Sequence, residues 1–423
     1  MHRKGFFRIV ERAAQRAAAT PKSLRSGIRA AAVLAALSTA LPAAASDHLD
    51  SPLVSADPRL DIGDLYAWTS PDAERINLVM TIVGQGFSDR AAYTFHIDSG
   101  PRFGATDATA AITCRFNGAE QADCRLGKAD RATGNPGQGS GITSRKGSFR
   151  LFAGRRDDPF FNNVRGTRDA YAAATAAFAA SADAGAGPCP AVTKTEAADI
   201  LGRWRRTDGG PATNFLRGWS PMAIVISVKT RAVTRGGPML AIWAATASGG
   251  EQVDRAARPL TGNALLATLG TAEEAAAMKI EWNRSTPADG ERFAEEIAKN
   301  AALYDAFDGQ CGNGFLFGGG APQGARYLKL ARLLADDRLW LNSRAGTCTR
   351  LFAVERAALA DEPALRDDCG GRTITDNSLR TYRSLLVNGT AFGVSDGLEG
   401  DEKAHSLTEF PFLAGPDPAA SPS

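Results

Sequence analysis

The chain has 423 residues, 44% of them hydrophobic and 22% charged, and a chain of this length can bury a large core. Eight of its 49 basic residues and one of its 46 acidic residues lie in the first 45 positions, so the remainder carries a net charge of −4. Because the remainder has no excess of basic residues to neutralise phosphates, we predict that the protein does not bind nucleic acid.

The first 45 residues have the layout of a secretory signal peptide. A basic leader is followed by an apolar run at residues 30–41 and then by Pro42 and three alanines ending at Ala45. The alternative is an uncleaved membrane anchor, but the apolar run is shorter than the roughly 20 residues that span a bilayer. We therefore predict cleavage after Ala45, a periplasmic or extracellular product, and no transmembrane segment in the mature chain.

Alternating and apolar runs bounded by turn residues predict many short strands between residues 61 and 248. The pair Asn117-Gly118 between two such runs is a strong hairpin signal. The predicted strands cover residues 64–68, 76–83, 91–97, 109–116, 122–126, 148–153, 222–233 and 238–247.

Helical patterns dominate the region that follows, at residues 262–280, 291–307 and 325–335. The fold class we predict is mainly β, an antiparallel β-sandwich with helical insertions and α+β overall. Its core covers residues 46–260, with an alanine-rich insert at 169–187 that is either a helix or a loose low-complexity segment. A mostly helical insertion at 261–345, a segment at 346–415 that completes the same domain, and a flexible tail at 416–423 follow.

All six cysteines lie after the leader, and an even number of cysteines in an oxidising compartment favours disulfides. Cys114 and Cys124 flank the predicted hairpin turn, where opposed positions come close enough for a bridge. The pairs Cys348–Cys369 and Cys189–Cys311 then follow by elimination. No C-x-x-C motif occurs, which argues against a zinc ribbon, a thioredoxin site or covalent haem.

Six stretches spread over nearly the whole mature chain carry a resemblance to one family. They are residues 46–53, 57–68, 154–161 (GRRDDPFF), 252–260 (QVDRAARPL), 370–376 (GGRTITD) and 410–414 (FPFLA). Together they resemble the bacterial exported family called domain of unknown function 4331. The resemblance implies an exported protein with a β-sandwich core, and it implies no established activity.

Acidic residues are dense at the predicted mature N-terminus. Asp57, Asp61 and Asp64 follow Asp47, His48 and Asp50, and their spacing could close around one hard cation such as calcium. The alternative is that these acids cap turns before the first strand. We take Asp57, Asp61 and Asp64 as the candidate metal ligands and calcium as the candidate cofactor.

Charged residues in the family-like internal stretches form the second candidate site. Arg155, Asp157 and Asp158 precede a proline and two phenylalanines, and Arg255 lies in the later stretch. Arginine is suited to a carboxylate or phosphate ligand, whereas Arg–Asp pairs and an Asp-Pro turn are equally suited to fastening loops. Both stretches follow predicted strands, so we expect the four residues to meet at one end of the sandwich and favour the structural role.

No catalytic constellation stands out. The sequence GWSPM at 218–222 lacks the closing glycine of a nucleophile elbow, and His96 and His405 are the histidines besides His48 in the mature chain. The most favoured function is a non-catalytic binding protein, with a structural divalent cation as an option and a small-molecule or protein partner that the sequence does not identify. The alternatives are a hydrolase at the sandwich end and a haem- or carbohydrate-binding sandwich that uses methionine, histidine or tryptophan.

Overall fold

Two antiparallel sheets form the centre of the computed structural model, which describes residues 51–118, 120–181, 189–317, 327–359 and 362–418. The five-stranded sheet has the order β1-β2-β11-β8-β7, and the larger sheet has the order β13-β12-β3-β4-β5-β6, with β14 also paired to β12. The strands are β1 (Ile62–Thr69), β2 (Arg75–Ile82), β3 (Ala91–Gly100), β4 (Ala108–Phe116), β5 (Ala122–Leu126), β6 (Asp130–Gly134), β7 (Ile142–Thr143), β8 (Phe149–Arg155), β9 (Arg206–Thr207), β10 (Gly210–Pro211), β11 (Met222–Lys229), β12 (Met239–Ser248), β13 (Glu251–Ala256) and β14 (Leu339–Asn342).

The two sheets share one apolar core, as the sandwich prediction requires. On β2 and β11, residues such as Leu78, Met80, Ile224 and Ile226 are fully buried and belong to the same core cluster as Phe95 of β3. The residues between them are buried as well, and since successive side chains of a strand point to opposite faces, both faces of these two strands are covered. The fold is α+β, with antiparallel sheets packed together.

Helices lie before, between and after the strands. They are α1 (Pro52–Ala56), α2 (Val164–Ala180), α3 (Lys194–Trp204), α4 (Thr261–Ala264), α5 (Ala272–Arg284), α6 (Ala294–Asp305), α7 (Gly314–Phe317), α8 (Leu328–Ala335), α9 (Ala353–Leu359) and α10 (Ser378–Asn388), with short 3₁₀ turns at Pro58–Leu60, Thr230–Ala232, Pro287–Phe293 and Pro363–Leu365. None of the described helices is long and apolar enough to cross a membrane.

Most predicted strands are present, and the differences have local causes. The run at 222–233 ends as a strand at Lys229, because residues 230–232 turn into a 3₁₀ helix. The described part of the alanine-rich segment is helix α2, which begins where Asn163 accepts a hydrogen bond from the amide of Gly166. Strand β14 lies inside the region predicted to be helical and pairs with β12.

Three disulfides brace the fold, and they are the three pairs that the sequence favours. Cys114 and Cys124 lie directly opposite each other in the β4–β5 hairpin. Cys189 is bonded to Cys311, and Cys348 to Cys369. The described residues from 51 onward belong to one compact unit, whereas the predicted signal peptide, together with Asp47, His48 and Asp50, lies outside the described residues.

The C-terminal segment, residues 401–417, contains neither helix nor strand and crosses the five-stranded sheet. The indole of Trp68 on β1 donates to the carbonyl of Leu407 over 3.1 Å. The amide of Asp157, just after β8, donates to the carbonyl of Ala414 over 3.2 Å. Hence this segment covers the face of the sheet that is turned away from the other sheet.

Candidate functional site

Distant stretches of the chain meet on the covered face of the five-stranded sheet. Two backbone hydrogen bonds of 2.8 and 2.9 Å join Ala67 of β1 to Arg372. The loop after β8 is held there by the bond from Asp157 to Ala414. The family-like stretches around β1, after β8, at 370–376 and at 410–414 are therefore neighbours in space.

A buried arginine is the centre of this region. The guanidinium of Arg372 pairs with the carboxylate of Asp64, donates to the hydroxyl of Ser378 over 3.2 Å, and lies 4.1 Å from the centre of the Tyr66 ring. Burial opposes the charge on this arginine, but Asp64 outweighs that effect and raises the pKa of Arg372. Arg372 is thus the cation that pairs with Asp64.

Asp158 lies beside this pair and shares its electrostatics. Its Oδ1 accepts the amide of Phe160 over 3.0 Å, and its Oδ2 has no hydrogen-bond partner among the described residues. Burial, followed by the nearby charge of Asp64, raises the pKa of Asp158 well above its ordinary value. The ion pair with Asp64 occupies Arg372, so Asp158 is left without a cation of its own.

Asp157 points away from that pair and into a second charged cluster on the C-terminal segment. The Nζ atom of Lys403 lies 3.0 Å from Asp157 Oδ1 and 2.6 Å from Asp417 Oδ1. His405 Nε2 lies 3.1 Å from Asp401 Oδ2 and 3.5 Å from Asp157 Oδ2. We call these five residues the clasp, because they fasten the C-terminal segment to the loop after β8.

Both nitrogens of the His405 ring are engaged within the clasp. When the ring is neutral, Nδ1 accepts the amide of Ala414 over 3.0 Å, and Nε2 faces the two carboxylates. Burial alone lowers the pKa of His405, but Asp157 and Asp401 outweigh it and raise the pKa to about 9. Neither nitrogen bonds to a hydroxyl or a thiol of the described residues, so His405 is not set to activate a nucleophile.

The remaining predicted site residues are dispersed. Asp57 is bonded to Arg59 at the surface, 2.8 Å from its Nε, while Asp61 is fully buried. Histidine, cysteine, aspartate and glutamate are the side chains that could hold a metal ion. Among the described residues, the only group of three whose ligand atoms lie within 4.8 Å of one another consists of Asp157, Asp401 and His405. The expectation that Asp57, Asp61 and Asp64 gather around one ion therefore does not match their placement.

The expected meeting of Arg255 with Asp157 and Asp158 does not occur. Arg255 lies on β13 of the larger sheet, where its guanidinium stacks 3.7 Å from the centre of the Trp282 ring. Burial lowers its pKa to about 10, and its side-chain nitrogens have no hydrogen-bond partner among the described residues. Arg155 donates to the carbonyl of Ser220 and not to either aspartate.

An open cleft lies between the five-stranded sheet and the C-terminal segment. Its floor includes a polar row that runs across four adjacent strands, because Thr143 is opposite Arg150, Arg150 is opposite Ser227, and Ser227 is opposite Asn77. Opposed residues share one face of a sheet. The cleft has a volume of about 370 Å³ and is lined by Ser70, Pro71, Arg75, Asn77, Thr143, Gly147, Phe149, Arg150, Ser227, Leu407, Thr408, Phe410 and Phe412.

Sequence reasoning missed this polar row, although a signal for it exists. Asn77 and Ser227 are buried polar residues inside two largely apolar strands, β2 and β11. Their side chains bond to each other, Ser227 Oγ donating to Asn77 Oδ1 over 2.8 Å. An isolated polar residue in an apolar strand indicates either a buried hydrogen bond or a lined cavity, and here it indicates both.

The residues considered for a haem site have other surroundings. His96 stacks on Trp243 with ring centres 3.9 Å apart, and burial lowers its pKa to about 4. Met80 is fully buried in the core. Both therefore have the packing roles that are the default for such residues in strands.

Comparison with known proteins adds no assignment: no family model, no curated protein and no solved structure matches this chain. The resemblance described above therefore stays a prediction.

Proposed function

We propose that the protein is exported and acts as a non-catalytic binding protein whose ligand occupies the cleft beneath the C-terminal segment. The observation that carries this proposal is the polar row of Thr143, Arg150, Ser227 and Asn77 on the floor of an open cavity. A cavity of a few hundred Å³ with a small number of directed polar groups is the usual form of a small-molecule site.

Two further observations support a binding protein over a hydrolase. His405 uses both of its nitrogens inside the clasp and has no hydroxyl partner among the described residues. In contrast, the cleft combines hydroxyl, amide and guanidinium donors with phenylalanine rings. This mixture holds a polar ligand by hydrogen bonds and stacking and needs no nucleophile.

The disulfides and the absence of a membrane-spanning helix among the described residues are compatible with export. The leader sequence supports the same proposal. The protein recovered from the periplasm or medium should begin at Ser46. N-terminal sequencing that finds the leader on most of that protein would contradict export with cleavage.

Blocking the cleft tests the binding function. Thr408 is exposed and lines the cleft, whereas the adjacent Glu409 is exposed and does not line it. A Thr408→Trp variant should lose binding of small polar ligands because the indole occupies the cavity, and the matched Glu409→Trp variant should keep it. The measurement is calorimetric titration of the mature protein with a panel of neutral and acidic monosaccharides. Binding that is equal in both variants, or absent for the whole panel, would contradict the proposal.

A divalent cation in the clasp is a second candidate, favoured by the spacing of its ligand atoms. His405 Nε2 lies 3.1 and 3.5 Å from the carboxylate oxygens of Asp401 and Asp157. Tetrahedral zinc with bonds of about 2.0–2.2 Å separates its ligands by roughly 3.3–3.5 Å. A histidine among the ligands favours zinc over the calcium expected at the N-terminal acids.

Zinc would compete with the hydrogen bond that His405 makes in this structure. If Nε2 binds a cation, the ring proton moves to Nδ1, where it meets the amide of Ala414. Zinc binding therefore requires that peptide to turn. Elemental analysis of protein purified without chelator, with a His405→Asn variant as control, tests this candidate. Less than 0.1 equivalent of zinc in the unmodified protein, on the order of a contaminant, would exclude a resident ion.

A further inference from the structure

Two arginines stand side by side at the cleft, and neither forms an ion pair there, although the charge of Asp72 acts on Arg75 from a greater distance. Arg75 at the start of β2 and Arg150 of β8 both line the cavity, and no described carboxylate does. Neither forms an ion pair within the described residues, whereas the buried Arg372 does so. An unpaired pair of like charges in a concave site is unusual, because each charge disfavours the other.

The two guanidiniums are close enough to affect each other. Burial lowers the pKa of Arg75, and the charge of Arg150 lowers it further. Arg75 is held in place by hydrogen bonds to the hydroxyl of Ser227, at 2.8 Å, and to the Ser227 carbonyl. Arg150 is held by a bond of 2.6 Å to the carbonyl of Ser140 and by stacking 4.3 Å above the Phe410 ring.

Both arginines have N–H donors that these contacts do not use. A guanidinium has five N–H groups, and the contacts above use two on Arg75 and one on Arg150. None of their nitrogens is both buried and unpartnered, so the remaining donors are open to solvent. Their positions are fixed by protein contacts before any ligand arrives, which lowers the entropy cost of binding.

We propose that Arg75 and Arg150 bind the anionic group, carboxylate or phosphate, of a sugar-sized polyol in the cleft. This proposal rests on the function proposed above and adds the ligand class. The anion supplies the charge that the two arginines lack, and charge-assisted bonds to a guanidinium are about twice as strong as neutral ones. The polyol part meets Asn77, Thr143 and Thr408, whose hydroxyl and amide groups line the same cavity.

The size and position of the cavity fit this class of ligand. A volume of about 370 Å³ is at the lower end of small-molecule sites and suits one or two sugar rings. The cavity lies at the rim of the sheet, and its lining includes exposed Thr143 and Thr408, so a ligand enters without opening the core. A larger polymer could extend out of it only at this open side.

The test is calorimetric titration of the mature protein with four probes: glucuronate, glucose 6-phosphate, inorganic phosphate and neutral glucose. We expect glucuronate or glucose 6-phosphate to bind at least tenfold more tightly than glucose. The comparison between these two distinguishes a carboxylate ligand from a phosphate ligand. Tight binding of inorganic phosphate alone would overturn the polyol part of the proposal.

A variant that removes the charge of Arg150 provides the second part of the test. Arg150→Gln should weaken binding of the acidic probe at least tenfold and leave that of glucose unchanged, because it removes one charge and keeps a polar side chain. The control is Arg203→Gln on α3, an exposed arginine outside the cleft, which should bind as the unmodified protein does. If Arg150→Gln unfolds, Arg150→Lys replaces it: it keeps the charge, loses the planar fork, and should weaken binding severalfold.

The outcomes separate this proposal from the binding function itself. Equal affinity for glucose and glucuronate, with no effect of Arg150→Gln, would overturn the anionic assignment and leave a binding protein for neutral polyols. No binding of any probe would overturn both. Loss of acidic-probe binding in Thr408→Trp but not in Arg150→Gln would keep the cleft and reject the arginines as its anion site.

Discussion

Removing the buried Arg372 is the sharpest test of how the covered sheet face is held together. In an Arg372→Met variant the side chain keeps most of its apolar volume but loses the ion pair with Asp64 and the hydrogen bond to Ser378. Both partners of the ion pair are almost fully buried, so water cannot replace the lost contact. We therefore expect a large decrease in the free energy of unfolding.

The size of the decrease in the free energy of unfolding follows from the Asp64 carboxylate, which the variant leaves buried without its partner. Breaking a buried ion pair by removing one partner costs about 3–5 kcal/mol.

The assay is equilibrium unfolding in urea at pH 7 with disulfides intact, followed by tryptophan fluorescence. Adding Asp64→Asn to Arg372→Met removes the stranded charge, so the double variant should recover about 2 kcal/mol at pH 7. The control is Arg203→Met, which breaks an exposed pair with Asp199 and should cost less than about 1 kcal/mol. An Arg372→Met protein within about 1 kcal/mol of the original at pH 7 would refute the stabilising role of the Arg372–Asp64 contact.

Three further predictions concern other contacts. The pKa of His405 in the folded protein is raised to about 9, so the stability that the clasp gains from this residue is complete below the ordinary pKa of 6.5. That stability is lost as the pH rises through about 9. Unfolding midpoints measured from about pH 6 to 10 should show this loss in the unmodified protein and not in a His405→Asn variant. Replacing Cys348 and Cys369 by serine should lower the free energy of unfolding by about 3 kcal/mol, from the loop of 21 residues that the bond closes, and urea unfolding that shows no change would contradict this. Arg255→Ala should cost about 2 kcal/mol because the stacking on Trp282 is lost from a buried site. An equally stable variant in thermal unfolding would contradict this and show that the cost of burying an unpartnered guanidinium offsets the stacking.

The strands that the sequence predicts well are those whose pattern is set by burial. Strands β2 and β11 are apolar runs between turn residues, and the hairpin of β4 and β5 is marked by Asn117-Gly118. Strands β13 and β14 were missed because they are short, and β13 is largely polar. Pairing with β12 stabilises both strands, and such tertiary pairing leaves no local sequence signal.

The candidate site was only partly predictable, because its contacts join residues far apart in the chain. Asp64 and Arg372 are separated by 308 positions, and nothing in the sequence matches one with the other. Asp401 and His405 are four residues apart and visible as a local pair, but their third partner, Asp157, lies on another element. Asp157 follows β8 and Arg255 lies on β13, and the sequence does not show that these strands belong to different sheets.

The arrangement of the C-terminal segment links the clasp to the cleft. The same segment carries Lys403 and His405, which fasten it to Asp157, and Phe410 and Phe412, which form one wall of the cavity. An irregular segment has few backbone hydrogen bonds of its own, so side-chain contacts must fix its position over the sheet. Charged contacts at one end and aromatic contacts at the other hold it over the sheet, and the cavity is the space left between it and the polar row. A loosened clasp should therefore alter ligand binding in the cleft without touching any residue that lines it.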